Sequence, residues 1–435
     1  MDVLTVRSFI LTILGLQALL AVPLKAIAFE NVHSISEGKK HVHGVHKECP
    51  LPKNAADIVE CALEFHPSVK RGLLNLDSAS KLGEKAAQIP NPTLSSRFVK
   101  GENNGDEISE LEANLTFTLE VGGKRGARKE YAFASKNIAM ASNEAIKSEV
   151  KVNTVLSLYR LRQILTEKRI VKEALRAFSK VIGQLKKLPR LSAEQEASLT
   201  LFEIALEETR VNESEVFEEE RKLEHYFHVS TGHSLAEIKD FLPKPPKVWP
   251  TIIDHQKSVT SPEIKRLKSL TLLAQKELEI QKSDAWPDLK IGPSVAIERD
   301  GAVQNKMVGL NIQIPIPLFQ ANGGGKAFAR SELVKAQKNV TLTQAEEKHE
   351  RYEQLRVYES AVSILNKTMK QNVIEKKHNR IESLYLRGVV SSSVFLDSLK
   401  QKLSYLKSRN HRELTAVKAL WNIYKYDGKI FEEKI

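Results

Sequence analysis

The feature that most constrains this chain is an internal repeat. His66-Pro67-Ser68-Val69-Lys70-Arg71 returns as Ser261-Pro262-Glu263-Ile264-Lys265-Arg266. Pro92-Thr93-Leu94 returns as Pro287-Asp288-Leu289, and Leu115, Phe117 and Leu119 return as Leu310, Ile312 and Ile314. The three anchors share one offset of about 195 residues, and a duplication of that length calls for two structural units of like design.

Each copy carries a strand pair. In the first, Thr93 to Val99 reads as a strand and a polar stretch over 100–110 as a loop. The second strand has the clearest pattern in the chain. Leu111, Ala113, Leu115, Phe117, Leu119 and Val121 alternate with Glu112, Asn114, Thr116, Thr118 and Glu120. Period-two alternation puts the apolar set on one face and the polar set on the other. In the second copy Leu289, Ile291, Val295 and Ile297 alternate with polar or small residues, a turn follows near Arg299-Asp300-Gly301, and Val308 to Ile316 alternates again. Pro315 and Pro317 close that strand, because proline cannot donate to a ladder. The expected β-hairpins are 92–121 and 288–317.

Helical spacing runs from Ala55 to Ala87, and Pro90 and Pro92 forbid its continuation. Each strand pair empties through a glycine turn, at Gly122 and Gly123 and at Gly323, Gly324 and Gly325, into a long helix. The stretches 127–188 and 327–387 contain almost no helix breakers, so helices of ~60 residues, ~90 Å long, are expected. They turn at 189–192 and 387–391 and return to about Thr231 and Tyr426. Their apolar positions (Leu158, Leu161, Leu165; Leu396, Leu399, Leu403, Leu406) form narrow stripes suited to coiled-coil packing. The expected organisation is a first repeat over 55–242, a Pro-rich linker over 243–250, a second repeat over 251–428 and a short tail over 429–435.

Residues 1–28 read as a secretory signal peptide. Arg7 precedes an apolar run, and Ala26-Ile27-Ala28 supplies small residues for cleavage. The run is shorter than the ~20 apolar residues of a membrane-spanning helix, and no later stretch approaches that length. Residues 29–54 form a polar tail, in which His41, His43 and His46 are possible metal ligands. A solvated tail is the plainer reading of those histidines. Cys49 and Cys61 are the only cysteines, and in an exported protein they are candidates for a disulfide.

The net charge of +12 does not indicate nucleic acid, because Lys and Arg are interleaved with Asp and Glu throughout. Gly123-Lys124-Arg125 and Gly325-Lys326-Ala327 lack the Ser or Thr of a phosphate-binding loop. There is no His-Glu-x-x-His helix and no nucleophile elbow. No enzymatic function and no cofactor is expected.

Four strands with an apolar face cannot close a membrane barrel alone, since the smallest use about eight. An open edge in lipid would leave backbone groups unsatisfied, so such a chain must oligomerise. The expectation is a mainly α protein with membrane β: a multi-subunit barrel extended by a helical tube. A periplasmic coiled-coil adaptor or structural protein that never enters the membrane is the alternative.

The chain resembles the TolC-like outer-membrane efflux proteins, the exit ducts of tripartite systems. The resemblance rests on Pro90-Asn91-Pro92-Thr93-Leu94, Leu119-Glu120-Val121-Gly122-Gly123-Lys124-Arg125, Ala285-Trp286-Pro287-Asp288-Leu289, Ile314-Pro315-Ile316-Pro317-Leu318-Phe319 and the stretch from Tyr385 to Asp397. The Gly-Gly-Lys-Arg turn looks most like the heavy-metal branch. The resemblance implies a homotrimer in the outer membrane of a Gram-negative bacterium. Each chain would contribute four strands to a 12-stranded barrel and long hairpins to a periplasmic tunnel. Outer-membrane lipid, a periplasmic adaptor and a proton-driven inner-membrane pump are the implied partners. Arg190, Leu191, Ser192, Arg387, Gly388, Val389, Ser391 and Asp397 would then lie at the periplasmic aperture and adaptor-docking tips. Val394 stands where the family often carries an acid, which argues against a tight acidic ring. The N-terminal lipidated cysteine of many relatives is missing.

Overall fold

The structure is a computed structural model, and it describes residues 49–103, 106–252, 260–301 and 303–435. The expected signal peptide over 1–28, His41, His43 and His46 lie outside the described residues. The part from Cys49 to Ile435 forms one compact unit.

The chain opens with α1 (Ala55–Phe65) and α2 (Pro67–Ala86). One continuous helix was expected here, but Pro67 starts a new one. Its ring excludes the preceding residue from helical geometry. His66 accordingly sits at ψ 132°, and its Nδ1 accepts from Ser68 N at 3.1 Å, capping α2.

The strands follow as β1 (Thr93–Asn103) and β2 (Asp106–Leu119) in the first copy. Much of the stretch expected to be a loop is paired, with Lys100 opposite Ser109 and Glu102 opposite Glu107. Backbone pairing continues there although side-chain alternation has ceased, and an ion pair from Lys100 to Glu107 crosses the strands. From β2 the chain enters α3 (Lys124–Leu185), 62 residues or about 93 Å long. It returns as α4 (Ala193–Thr231), started by a capping box between Ser192 and Gln195. A short α5 (Leu235–Ile238) leads to the linker.

The second copy runs through α6 (Pro262–Ser283), β3 (Leu289–Asp300) and β4 (Val303–Gln313). β4 stops before Ile314, earlier than the apolar alternation does. The Ile314–Pro317 stretch keeps its alternation without a ladder, because neither Pro315 nor Pro317 has an N–H to give.

The second outgoing helix is not continuous either. It is divided into α7 (Gly323–Lys367) and α8 (Gln371–Leu386), and α9 (Ser392–Tyr426) returns. The stretch 368–370 contains no Gly or Pro. Thr368 and Lys370 are extended (ψ 153°), and the returning helix supplies the donors the break requires. Arg409 Nη1 donates to Leu365 O at 3.2 Å and to Thr368 Oγ1 at 2.7 Å, and Tyr405 Oη donates to Met369 O at 2.8 Å. Helix-end carbonyls are thereby satisfied without continuing the helix.

The four strands form one antiparallel sheet ordered β1-β2-β3-β4. Beneath it the helices pack along one another, with α3 in contact with α1, α2, α4, α6 and α9. The main core gathers Val155, Leu158, Leu161 and Ile164 of α3 against Phe227, Val417 and Trp421. The linker is pinned onto this body. Arg162 donates to Pro243 O at 2.9 Å, Tyr358 donates to Pro250 O at 2.7 Å, and Trp249 meets Tyr358 edge to face.

Candidate functional site

Two parts of the molecule carry features that internal packing does not explain: one face of the sheet and the tips of the helical hairpins.

The registers place the apolar sets of all four strands on a single face. Leu94 pairs with Leu115, and Phe98 with Leu111. Leu111 in turn faces Ile297, and Phe117 faces Ile291. Ile291 faces Ile312, and Val295 faces Val308. Residues paired across an antiparallel ladder project from the same side, so these chains form one continuous band. The band is open to its surroundings: Leu94 is 74% exposed, Val308 84%, Leu310 63% and Phe117 46%. An apolar face of this extent marks a membrane or protein contact rather than a water-facing surface. The opposite face carries Glu112, Asn114, Thr116, Lys290 and Gln313 (Asn114 Nδ2 donates to Glu112 Oε1 at 3.0 Å). β1 and β4 each keep one unpaired edge. The strands are 11, 14, 12 and 11 residues long, enough for the ~9–11 residues of a tilted transmembrane strand.

The seam between the copies, β2 on β3, is close-built. A Cβ on Gly292 would come within 1.8 Å of Leu115 O, so no larger residue fits there. At the exit of β2, Gly122 adopts φ 74°, and its missing side chain leaves room for Trp286 of the second copy. Lys124 Nζ reaches Asp288 at 2.7 Å, and Arg128 clasps Glu120 through both nitrogens. Arg125 Nε donates to Ala87 O at 2.9 Å. The Gly-Gly-Lys-Arg turn and the Trp-Pro-Asp strand start are thus two sides of one junction. Entry to α7 differs from expectation: Asn322 holds the left-handed position (φ 52°), and Gly323, Gly324 and Gly325 already belong to the helix.

At the other end, the turns after α3 and α8 lie side by side over one apolar cluster. Phe178, Val181 and Ile182 of α3 meet Phe202 of α4 and Phe395, Leu396 and Leu399 of α9. Phe395 stacks on Tyr385 at 4.6 Å and on His378 at 6.1 Å. Arg190, Ser192, Arg387, Gly388, Val389 and Ser391 are exposed at these turns, and Leu191 is half-buried. Gly388 takes φ 72° at the second turn, and the Ser391 hydroxyl caps α9. Asp397 is also exposed. It borders a cleft between α8 and α9 shared with His378, Lys402 and Tyr405. Burial, and then the Lys402 charge, lower the His378 pKa to about 4. Its Nδ1 lies 2.9 Å from Ser398 Oγ. In the sequence His378 and Lys402 look like ordinary surface residues, and only the packing of α8 on α9 brings them together.

A third polar group lies midway along the hairpins. Arg160 binds Glu219 at 2.6 Å and Glu167 at 3.0 Å, Asn410 donates to Glu167 at 2.7 Å, and Arg162 binds Glu413 at 2.6 Å. Burial opposes the Arg160 charge, but the hydrogen bonds it donates to Glu219 and Glu167 outweigh it and hold the guanidinium above its ordinary range. Glu167 is almost fully buried. The group locks α3, α4 and α9 together, and Arg160, Glu167 and Glu219 also line a cleft shared with Lys407 and His411. Cys49 and Cys61 are joined as a disulfide. Among the described residues no helix is long and apolar enough to cross a membrane.

No protein-family model matches the chain. The cobalt-zinc-cadmium resistance protein CzcC of Cupriavidus metallidurans is 23% identical over 297 residues, spanning 66% of this chain and 68% of that relative. The outer membrane channel CmeC of Campylobacter jejuni superimposes with a TM-score of 0.64 at 14% identity, over 87% of this chain and 86% of that one. The outer membrane protein VceC of Vibrio cholerae does so with a TM-score of 0.61 at 14% identity, over 86% and 96%. The chain thus shares the fold of these outer membrane channels, in agreement with its duplicated strand-and-hairpin design.

Proposed function

We propose that this protein is the outer-membrane exit duct of a tripartite efflux system, a homotrimer that passes substrate without chemistry of its own. The carrying observation is the four-stranded sheet with an exposed apolar face and two open edges. Lipid tolerates no unpaired backbone edge, so a chain that puts this face into a bilayer must complete a ring with its own copies. An even number of strands lets β4 of one chain meet β1 of the next in the antiparallel sense. Three copies give a barrel of about twelve strands, within the range of outer-membrane barrels. The long hairpins would then form the periplasmic tunnel.

Energy and selectivity would lie with an inner-membrane pump, proton-driven in this reading, and a periplasmic adaptor would dock at the turns around Arg190 and Gly388. The resistance named for the Cupriavidus relative suggests divalent metal ions as cargo. The test is single-channel conductance of the detergent-extracted oligomer in a planar bilayer. Small discrete openings from a trimer support the duct. A monomer found only in the periplasm and giving no conductance would leave the coiled-coil adaptor reading in its place. Cargo is tested separately: a strain lacking the gene should lose tolerance to cobalt, zinc or cadmium and keep its tolerance to organic drugs.

A further inference from the structure

Within the helical body, two cysteines near the start of the described chain meet a histidine remote in sequence at one buried point. Cys61 lies on α1, Cys49 just before it, and His233 in the turn between α4 and α5. They are 4%, 8% and 6% exposed. Their sulfur and nitrogen ligand atoms all lie within 4.8 Å of one another. The imidazole is held in a definite way. Its Nδ1 faces Glu237 Oε2 at 3.7 Å, and the His233 backbone N donates to Thr231 Oγ1 at 3.2 Å. Its Nε2, by contrast, is buried and has no hydrogen-bond partner.

A buried nitrogen left without a partner costs about 1–3 kcal/mol, so its place calls for an explanation. A disulfide alone supplies none, because its sulfurs offer no proton to an imidazole. Reduced, the same two sulfurs are strong donors. Two thiolates and one imidazole are the ligands that favour thiophilic ions such as Zn²⁺, and a carboxylate behind the far nitrogen is the usual support of a metal-bound histidine.

We propose that Cys49, Cys61 and His233 form a redox-gated site for Zn²⁺ or a like thiophilic divalent cation, closed while the disulfide stands and opened by its reduction. Opening takes two electrons and two protons from a dithiol donor, which itself becomes a disulfide, and leaves two thiols. Binding then releases both thiol protons and forms two sulfur–metal bonds and one nitrogen–metal bond, with water in the fourth position. Exchange with an oxidised dithiol carrier reverses the sequence and expels the ion. The site does not depend on the duct reading, since it lies in the helical body and needs no conduction.

The test uses the full chain with His33→Ala, His41→Ala, His43→Ala and His46→Ala, so that the tail contributes no ligands. After anaerobic reduction with a phosphine it is titrated with Co²⁺, a spectroscopic stand-in for Zn²⁺. The expected result is about one equivalent bound per chain with near-ultraviolet sulfur-to-cobalt absorption, displaced by Zn²⁺. The unreduced chain should show none of this absorption, a comparison that needs no variant at the site. His233→Gln, which leaves both cysteines in place, should weaken binding about tenfold or more. A reduced chain without the absorption would overturn the proposal. So would unchanged affinity in His233→Gln, or a disulfide that resists reduction in the folded protein.

Discussion

The two helical hairpins descend from one design but are held differently. The first outgoing helix, α3, is continuous and central, and it buries side chains from Ala132 to Ile182 against neighbours on several sides. Its counterpart α7 buries only Ala329, Ala336, Leu355, Tyr358, Ala361 and Leu365, then breaks. The first outgoing helix is fixed within its own chain, whereas the second presents most of its length outward. Duplicated halves need not share duties: one can carry the protomer's stability while the other stays free for neighbours and for movement.

The largest expected effect attacks the lock of the first hairpin. Arg160→Met strands Glu167 and Glu219 without their guanidinium and should cost about 4 kcal/mol, the scale of a broken buried ion pair. The drop should appear in chemical denaturation followed by helical circular dichroism, and a loss below about 1 kcal/mol would refute the lock.

Substitutions on the sheet should not distinguish the halves at all. Phe117→Arg in the first copy and Ile312→Arg in the second lie on the same apolar face, and each should destabilise the proposed membrane oligomer by about 3 kcal/mol. Heat-modifiable migration on gels measures this. A variant that folds and migrates normally would show that this face does not meet lipid.

Acid should loosen the second hairpin first. Folding holds the His378 pKa at about 4, below its ordinary 6.5, so the folded state resists protonation. Stability is therefore full above pH 6.5 and falls as the pH drops towards about 4, below which it falls no further. At pH 5 the loss is about 2 kcal/mol. Hydrogen exchange in α8, corrected for intrinsic rate, should be faster at pH 5 than at pH 7, and His378→Phe should remove the difference. The smallest effect is expected from Arg409→Ala at the helix break. It removes donors from Leu365 and Thr368, costs about 1 kcal/mol, and should raise exchange at 368–372 while α3 stays protected.

Much of the fold was legible because its signals are local. Alternation in β2 and the repeat it shares with β4 announced a duplicated sheet, and the return helices ended where their patterns did. What was not legible depends on partners remote in sequence. The break after Lys367 has no Gly or Pro to mark it, since its cause is Arg409 and Tyr405 on the returning helix. The paired stretch around Lys100 and Ser109 is held by backbone bonds that composition does not reveal. At the tips, Arg190 and Gly388 could be read as turn residues, but the stacking of His378 on Phe395 could not. His233 gave no sign of the cysteines it meets, because the chain brings them together only after α4 has returned.

The seam between β2 and β3 has one more consequence. It joins the end of one copy to the start of the next within a single chain, in the same sense in which β4 would meet the β1 of a neighbour. The proposed threefold ring of such chains would hide a near-sixfold one, whose joints are alternately covalent partners and strangers. A half-length ancestor could have closed the same circle with identical pieces. Fusion would leave alternate hairpins free to differ, as the unbroken α3 and the divided α7 and α8 do.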